Sequence, residues 1–262
     1  ADAYFELDVT DAGAVAAAVE RVRPDWVINT AAVTDVDRCE AETARARQVN
    51  VAAVAALAEA AARLGAGVVQ LSTDYVFDGT AGPYAEGDIP RPLSVYGRTK
   101  LASERVLAER LPRSIVVRTL WLYGYEPGAR PNFVTRALDA LGRHEPVRAF
   151  ADQWGNPTYV EDLARALVAL CRAGATGLYH MGGASFMTRY ELVVEMARRF
   201  GLDAAAVTPI GTQAAGLSAP RPLRSGLRTE SLSARVGIAP RTFAEGLEHM
   251  RGKPAFRRDF AH

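Results

Sequence analysis

Val51-Ala-Ala-Val-Ala-Ala-Leu-Ala-Glu-Ala-Ala-Ala-Arg-Leu-Gly-Ala-Gly-Val-Val-Gln-Leu-Ser-Thr73 is the stretch on which the fold turns. Its alanine-rich first part carries Val and Leu at helical spacing and stops at Gly65, as a helix does. The run Val68-Val69-Gln70-Leu71 then reads as a short buried strand that leaves its sheet at Ser72-Thr73. The same alternation extends both ways. Upstream, Asp11 to Arg23 reads as a helix closed by Pro24, followed by a strand from Trp26 to Asn29. Downstream, a Gly/Pro-rich loop precedes a helix over Val95 to Arg110 and a strand over Ser114 to Arg118. Strands separated by long helices predict an α/β fold with a doubly wound parallel sheet, because parallel neighbours need a helical crossover.

After Tyr123 the character changes. Pro, Gly and Arg punctuate shorter elements, with helices expected at Asn132 to Leu141, Val160 to Arg172 and Arg189 to Phe200. This half is expected to form a smaller lobe, with some segments returning to the sheet. At the other end, Asp2 to Thr10 reads as a strand leaving its sheet at Asp8-Val9.

Composition excludes several classes of function. Lys+Arg 31 against Asp+Glu 30 leaves a net charge of +1 with no dense basic run, so nucleic acid is not an expected partner. Cys39 and Cys171 lie far apart, and the four histidines lack ligand-like spacing, which predicts a reduced, cytoplasmic protein without a structural metal. No apolar run approaches the roughly 20 residues that span a bilayer, so no membrane is expected either.

The chemistry concentrates at Tyr96-Gly-Arg-Thr-Lys100, which sets a phenol and an ammonium four residues apart at the start of a helix. That spacing puts both on one face. An ammonium beside a phenol favours the phenolate, so Lys100 is expected to lower the Tyr96 pKa and make it a usable proton donor and acceptor. Thr73 ends a buried strand at the carboxyl edge of the sheet, where open α/β sheets bind ligands. Its hydroxyl is expected to meet the same reacting oxygen.

Taken together, Asn29 to Asp37, Ser72 to Gly79, Tyr96 to Lys100, Arg118 to Trp121, Asp152 to Thr158 and Arg221-Pro222 resemble the dTDP-4-dehydrorhamnose reductase family of extended short-chain dehydrogenase/reductases. The resemblance runs from about Asp8 to Met250. It implies a Rossmann-type cofactor domain over residues 1–123 and a mainly substrate-binding lobe over 124–262. It further implies reduction of a nucleotide-linked 4-keto-6-deoxy sugar, with dTDP as the expected nucleotide, by NADPH or NADH. Thr73, Tyr96 and Lys100 would be the catalytic trio. Asp8 and Val9 would border the adenine, Ala31, Ala32 and Val33 would admit the cofactor backbone, and Tyr96 and Lys100 would also face the cofactor. Thr73, Asp74, Trp121 and Arg221 would contact the sugar nucleotide. A homodimer is compatible with this reading.

Several of these residues admit plainer roles. Trp121 would serve equally as packing at the hinge between lobes, Asp74 as the cap of the strand-end turn, and Arg221 as half of a surface ion pair. Asn50 resembles the family's buried helix asparagine and reads as structural; Gln153 to Thr158 reads as a turn-rich loop open to partner or substrate.

Sugar-nucleotide dehydratases share the fold but carry a glutamate where Tyr75 stands, which favours simple ketone reduction over elimination; epimerases match less well around Ser72 to Tyr75. A rival from another class is a non-catalytic regulatory subunit. Val76 to Thr80, Asp88-Ile-Pro90 and Met187 to Glu191 also resemble the β subunit of methionine adenosyltransferase, although a scaffold has no physical need for the intact trio.

A Rossmann-type sheet begins with a glycine-rich strand-turn-helix that holds the cofactor's pyrophosphate, and Ala1 to Asn29 has none. The first βαβ unit is therefore expected to be missing from this sequence, in about 30 to 45 residues preceding Ala1. The residue that discriminates NADPH from NADH would lie there.

Overall fold

The computed structural model describes residues 4–260. Asp11 caps helix α1 (Ala12–Val22) by accepting the Ala14 N–H, and the chain turns into strand β1 (Trp26–Asn29). Short helices α2 (Val36–Ala41) and α3 (Thr43–Arg47) follow, then a π-helical turn over Gln48–Ala52 that runs into α4 (Ala53–Leu64). Gly65 closes α4 at φ 66°, a conformation that costs glycine nothing. Strand β2 (Gly67–Thr73), helix α5 (Val95–Arg110) and strand β3 (Ser114–Thr119) complete the first half.

In the second half come β4 (Leu122–Tyr123), α6 (Phe133–Gly142), β5 (Val147–Phe150), β6 (Trp154–Gly155), β7 (Thr158–Tyr159) and α7 (Val160–Arg172). Then follow β8 (Gly177–Met181), β9 (Met187–Thr188), α8 (Arg189–Phe200), β10 (Val207–Ile210), α9 (Glu230–Val236), α10 (Phe243–Gly252) and α11 (Pro254–Asp259).

The central sheet is parallel in the order β1-β2-β3-β8. Side chains alternate across a strand, so each strand feeds two cores. Val68 and Val116 pack with Val15, Val19, Leu57, Ala61 and Leu107 beneath α1, α4 and α5. Val69, Ile115 and Val117 pack on the opposite face against Leu163, Leu167 and Leu170 of α7 and Leu232 of α9. Helices on both faces explain why these strands read as continuous apolar runs. The fourth strand, β8, comes from the second half of the chain. The remaining second-half elements build their own core from Tyr123, Leu138, Leu192, Met196, Phe243 and Phe256, among others.

The first segment departs from expectation. Residues 4–10 form no strand, and residues 2 and 3 lie outside those described. A strand needs a ladder partner; here Asp8 instead forms a turn, its carbonyl accepting the Asp11 N–H at 3.1 Å and its carboxylate the Thr10 N–H at 2.9 Å.

Candidate active site

β1, β2 and β3 all end at one place, where Asn29, Thr73 and Thr119 open on a cavity of about 650 Å³. Tyr96 and Lys100 reach the same cavity from the first turns of α5. The helix is fixed there by its own start: the Ser94 hydroxyl accepts the Gly97 N–H at 3.2 Å, and Glu40 of α2 accepts the Val95 N–H at 2.7 Å. Gly97 lies so close to the strand-end turn that a Cβ on it would stand 2.1 Å from the Tyr75 carbonyl oxygen. Glycine lets α5 approach β2, and that approach brings Tyr96 to Thr73.

The electrostatics differ from the sequence expectation. Tyr96 lines the cavity but is packed so tightly that burial raises its pKa well above the ordinary tyrosine value, and the nearby Thr73 hydroxyl is the main opposing influence. Lys100 is not among the main influences on it. Burial pushes the Lys100 ammonium itself down to about 8, and no hydrogen bond joins it to Tyr96. The expected ammonium–phenolate pair gives way to desolvation, which penalises both charged forms. Tyr96 is thereby held as the protonated acid.

Thr73 is oriented by three neighbours. It donates to Asp74 Oδ1 at 3.0 Å, accepts the Tyr75 N–H at 3.2 Å, and faces Tyr96. Thr73, not Asp74, thus caps the strand-end turn. Asp74 is 2% exposed and its second oxygen accepts the Ser225 hydroxyl at 2.6 Å. Burial raises its pKa, against the Ser225 and Thr73 hydrogen bonds and the field of Arg189. Behind the wall, Glu104 grips Arg118 through two bonds of 2.9 and 2.6 Å and accepts from Ser72, locking α5 onto β2 and β3. A buried pair so fully hydrogen-bonded fixes geometry more surely than it adds stability.

The other predicted residues distribute unevenly. Ala32 and Trp121 line the main cavity. Val9 and Ala31 line a small apolar cavity of about 140 Å³ that shares the lining residue Asn29 with the main one. Asp8 lies in the adjoining turn and Val33 is clasped by Asn50, which bonds its N–H and C=O at 2.9 and 3.1 Å and also Thr99 at 3.1 Å. Asn50 thus ties the Ala31–Val33 loop to α5. Trp121 is half-buried at φ 43°, a left-handed backbone that bulky residues rarely adopt, and packs against two cores as well as the cavity. Arg221 does not line the cavity: it pairs with Asp37 at 2.7 Å and bonds the Ala219 carbonyl.

Sequence reasoning passed over Ser225, Thr119 and Arg189. Ser225 lies three residues after Arg221-Pro222, and Arg189 falls within Met187 to Glu191, but neither spacing announces a cavity.

The residues present suit a nicotinamide cofactor. Thr119 Oγ1 is buried without a hydrogen-bond partner among the described residues, and Lys100 opens on the same cavity. Such groups call for a polar ligand. Leu71, Leu163 and Leu167 supply an apolar wall for a flat ring, and Ala32 offers no bulk.

Comparison with known proteins agrees with this geometry. The family model described as the RmlD substrate binding domain matches residues 2–254. The dTDP-4-dehydrorhamnose reductase of Aggregatibacter actinomycetemcomitans is 35% identical over 95% of this chain and 87% of its own length. A Streptomyces niveus dTDP-4-keto-6-deoxy-D-glucose reductase is 40% identical over 78% of this chain and 71% of its own. The crystal structure of dTDP-4-dehydrorhamnose reductase from Bacillus anthracis, in complex with NADP, superposes with a TM-score of 0.87 at 32% identity, covering 93% of this chain and 86% of that one. With a parallel sheet whose strand ends gather a threonine, a tyrosine and a lysine, and with such relatives along nearly its whole length, the chain belongs to the dTDP-4-dehydrorhamnose reductase family.

Proposed function

We propose that this chain reduces the C4 ketone of a dTDP-linked 4-keto-6-deoxy sugar with NADPH or NADH, and that Thr73, Tyr96 and Lys100 perform the acid–base part. One observation carries the assignment of roles: the three side chains meet at a single cavity, with Tyr96 held protonated. The cofactor, when bound, supplies the hydride that reaches carbon. Tyr96 gives its phenolic proton to the carbonyl oxygen as negative charge develops there. Thr73 keeps Tyr96 aimed and lies close enough to reach that same oxygen, but its one proton now goes to Asp74 Oδ1, so donating to the substrate requires that bond to be exchanged. Lys100 places a positive charge one helical turn away, and with Thr119 provides polar contacts for the cofactor. Ala32 lines this cavity and Ala31 and Val9 the small one beside it; with Asp8 and Val33 these would carry the rest of the dinucleotide.

In the sugar subsite, Trp121 supplies a face for the ring, and Asp74 stands beside it with both oxygens already held. Tyr75 lines the wall with an acid of raised pKa, so no free carboxylate is offered for elimination of water from the substrate. Arg221 would act on the sugar nucleotide only through Asp37, its partner in the ion pair.

The test is oxidation of NADPH and of NADH by the purified chain with a dTDP-4-keto-6-deoxyhexose, beside Tyr96→Phe. Substrate-dependent oxidation is expected, with turnover lowered by about 10² to 10⁴ in the variant and cofactor affinity retained. No turnover with either cofactor, despite tight binding of both ligands, would return the chain to the class of non-catalytic binding subunits.

A further inference from the structure

Besides Lys100, one other cation stands in the wall of the main cavity among the described residues: Arg189, the first residue of α8. It is held on three sides. Its Nε donates to Gln153 Oε1 at 3.2 Å, its backbone N–H donates to the Gln153 carbonyl at 3.2 Å, and its guanidinium carbon lies 4.2 Å over the Trp121 ring. Gln153 is in turn anchored on Thr212 at 2.9 Å. The side chain is therefore oriented before any ligand arrives.

What it lacks is a counter-charge. No carboxylate forms an ion pair with it, and its two terminal nitrogens make no hydrogen bond among the described residues. Asp74 lies within its electrostatic reach, but Thr73 and Ser225 occupy both oxygens of that carboxyl, and burial disfavours its charged form. The other groups near enough to matter are Tyr75, a phenol, and two further guanidiniums, Arg221 and Arg136. Arg221 is neutralised by Asp37, whereas Arg136 has no ion-pair partner among the described residues. A guanidinium set in packed surroundings, without a partner and beside like charges, is unfavourable until an anion completes it. On a sugar nucleotide the only anionic group is the diphosphate. With the C4 carbonyl at Tyr96 and Thr73, the anomeric carbon that bears the diphosphate is across the ring from them, and Arg189 stands in the same cavity wall on a second-half element.

We propose that Arg189 is the diphosphate-binding residue of this site, gripping a phosphate oxygen through its free terminal nitrogens while Gln153 and Trp121 hold the guanidinium in place. The proposal rests on the reductase reading and gives to Arg189 a sugar-nucleotide contact of the kind that the family resemblance implied for Arg221. Planar recognition of this kind suits arginine and not lysine.

The experiment is calorimetric titration of the chain with dTDP, thymidine 5′-monophosphate and thymidine, compared across Arg189→Met, Arg189→Lys and Gln153→Ala, with melting curves for each. Removing a charged hydrogen-bonding partner is expected to weaken dTDP binding roughly 10- to 150-fold in Arg189→Met. Thymidine affinity should stay unchanged, Arg189→Lys should recover part of the loss, and Gln153→Ala, which frees the guanidinium without removing it, should fall between. The proposal is overturned if Arg189→Met binds dTDP within twofold of wild type, or if thymidine affinity falls equally. Should Arg189→Met melt far below wild type, the same criteria apply to Arg189→Lys. A wild-type chain that turns over the dTDP-sugar while Arg189→Met keeps its dTDP affinity sinks the Arg189 assignment alone; a wild-type chain that neither binds dTDP nor turns over the sugar overturns both.

Discussion

Lys100→Met is expected to make this protein more stable while stopping its chemistry. Lys100 is 3% exposed and burial lowers its pKa from 10.5 to about 8, with only the field of Glu104 opposing. Glu104 gives its oxygens to Arg118 and Ser72, so it supports the ammonium through its field and not through a hydrogen bond. At about 1.4 kcal/mol per pKa unit, holding that charge in the folded state costs about 3 kcal/mol. The sign follows from proton counting. Below pH 8 the lysine is charged in both folded and unfolded chains and the whole cost is present. Between about 8 and 10.5 the unfolded chain keeps the proton that the folded chain releases, so wild-type stability rises with pH across that window and the cost fades.

Methionine preserves the stem without the charge. Urea unfolding at pH 7, checked for reversibility, should find the variant more stable by up to about 3 kcal/mol, a figure that imperfect repacking would reduce. In melting experiments this corresponds to at most about 6 to 12 °C for a chain of this size. Repeating the measurement near pH 10 should shrink the difference. A variant less stable at pH 7, or one whose advantage is the same at both pH values, would refute the reasoning, since either result means the buried charge is not what the site bears. Turnover should be lost throughout, because stored electrostatic cost of this kind is typical of functional sites and is removed together with function.

Thr73→Val, nearly isosteric, should lower kcat with little change in cofactor affinity; an effect on cofactor affinity alone would reassign the residue. Gly97→Ala puts a methyl group against the Tyr75 carbonyl and should both destabilise the chain and reduce kcat by displacing Tyr96, so an active, fully stable variant would show that α5 has room to move. Trp121→Ala should raise KM for the sugar nucleotide by about tenfold or more and, because the ring is only half-buried, cost less than the roughly 3 to 5 kcal/mol typical of a core aromatic; a larger loss of stability with unchanged KM would make it hinge packing.

The elements and the candidate acid–base groups were legible in local signals. Val95–Arg110, Val160–Arg172 and Arg189–Phe200 form helices where periodicity and capping place them, because those signals are local. Thr73, Tyr96 and Lys100 were legible as candidates because strand-end and helix-face positions follow from local rules, and the family resemblance implied their grouping. The tertiary structure decided what depends on distant neighbours. Residues 4–10 pair with no strand among the described residues, and Asp8 to Asp11 close a turn instead. The Tyr96 and Lys100 pKa shifts are set chiefly by burial among several elements, which outweighs the influence that their four-residue spacing suggests. Arg221 was the arginine the motif recommended, yet Asp37, 184 residues away in the chain, claims it. Arg189 reaches the cavity only because Gln153 and Trp121, from separate loops, turn it there. Helical and strand periodicity is written within a dozen residues; burial, counter-charge and the direction of a guanidinium are sums over the whole fold.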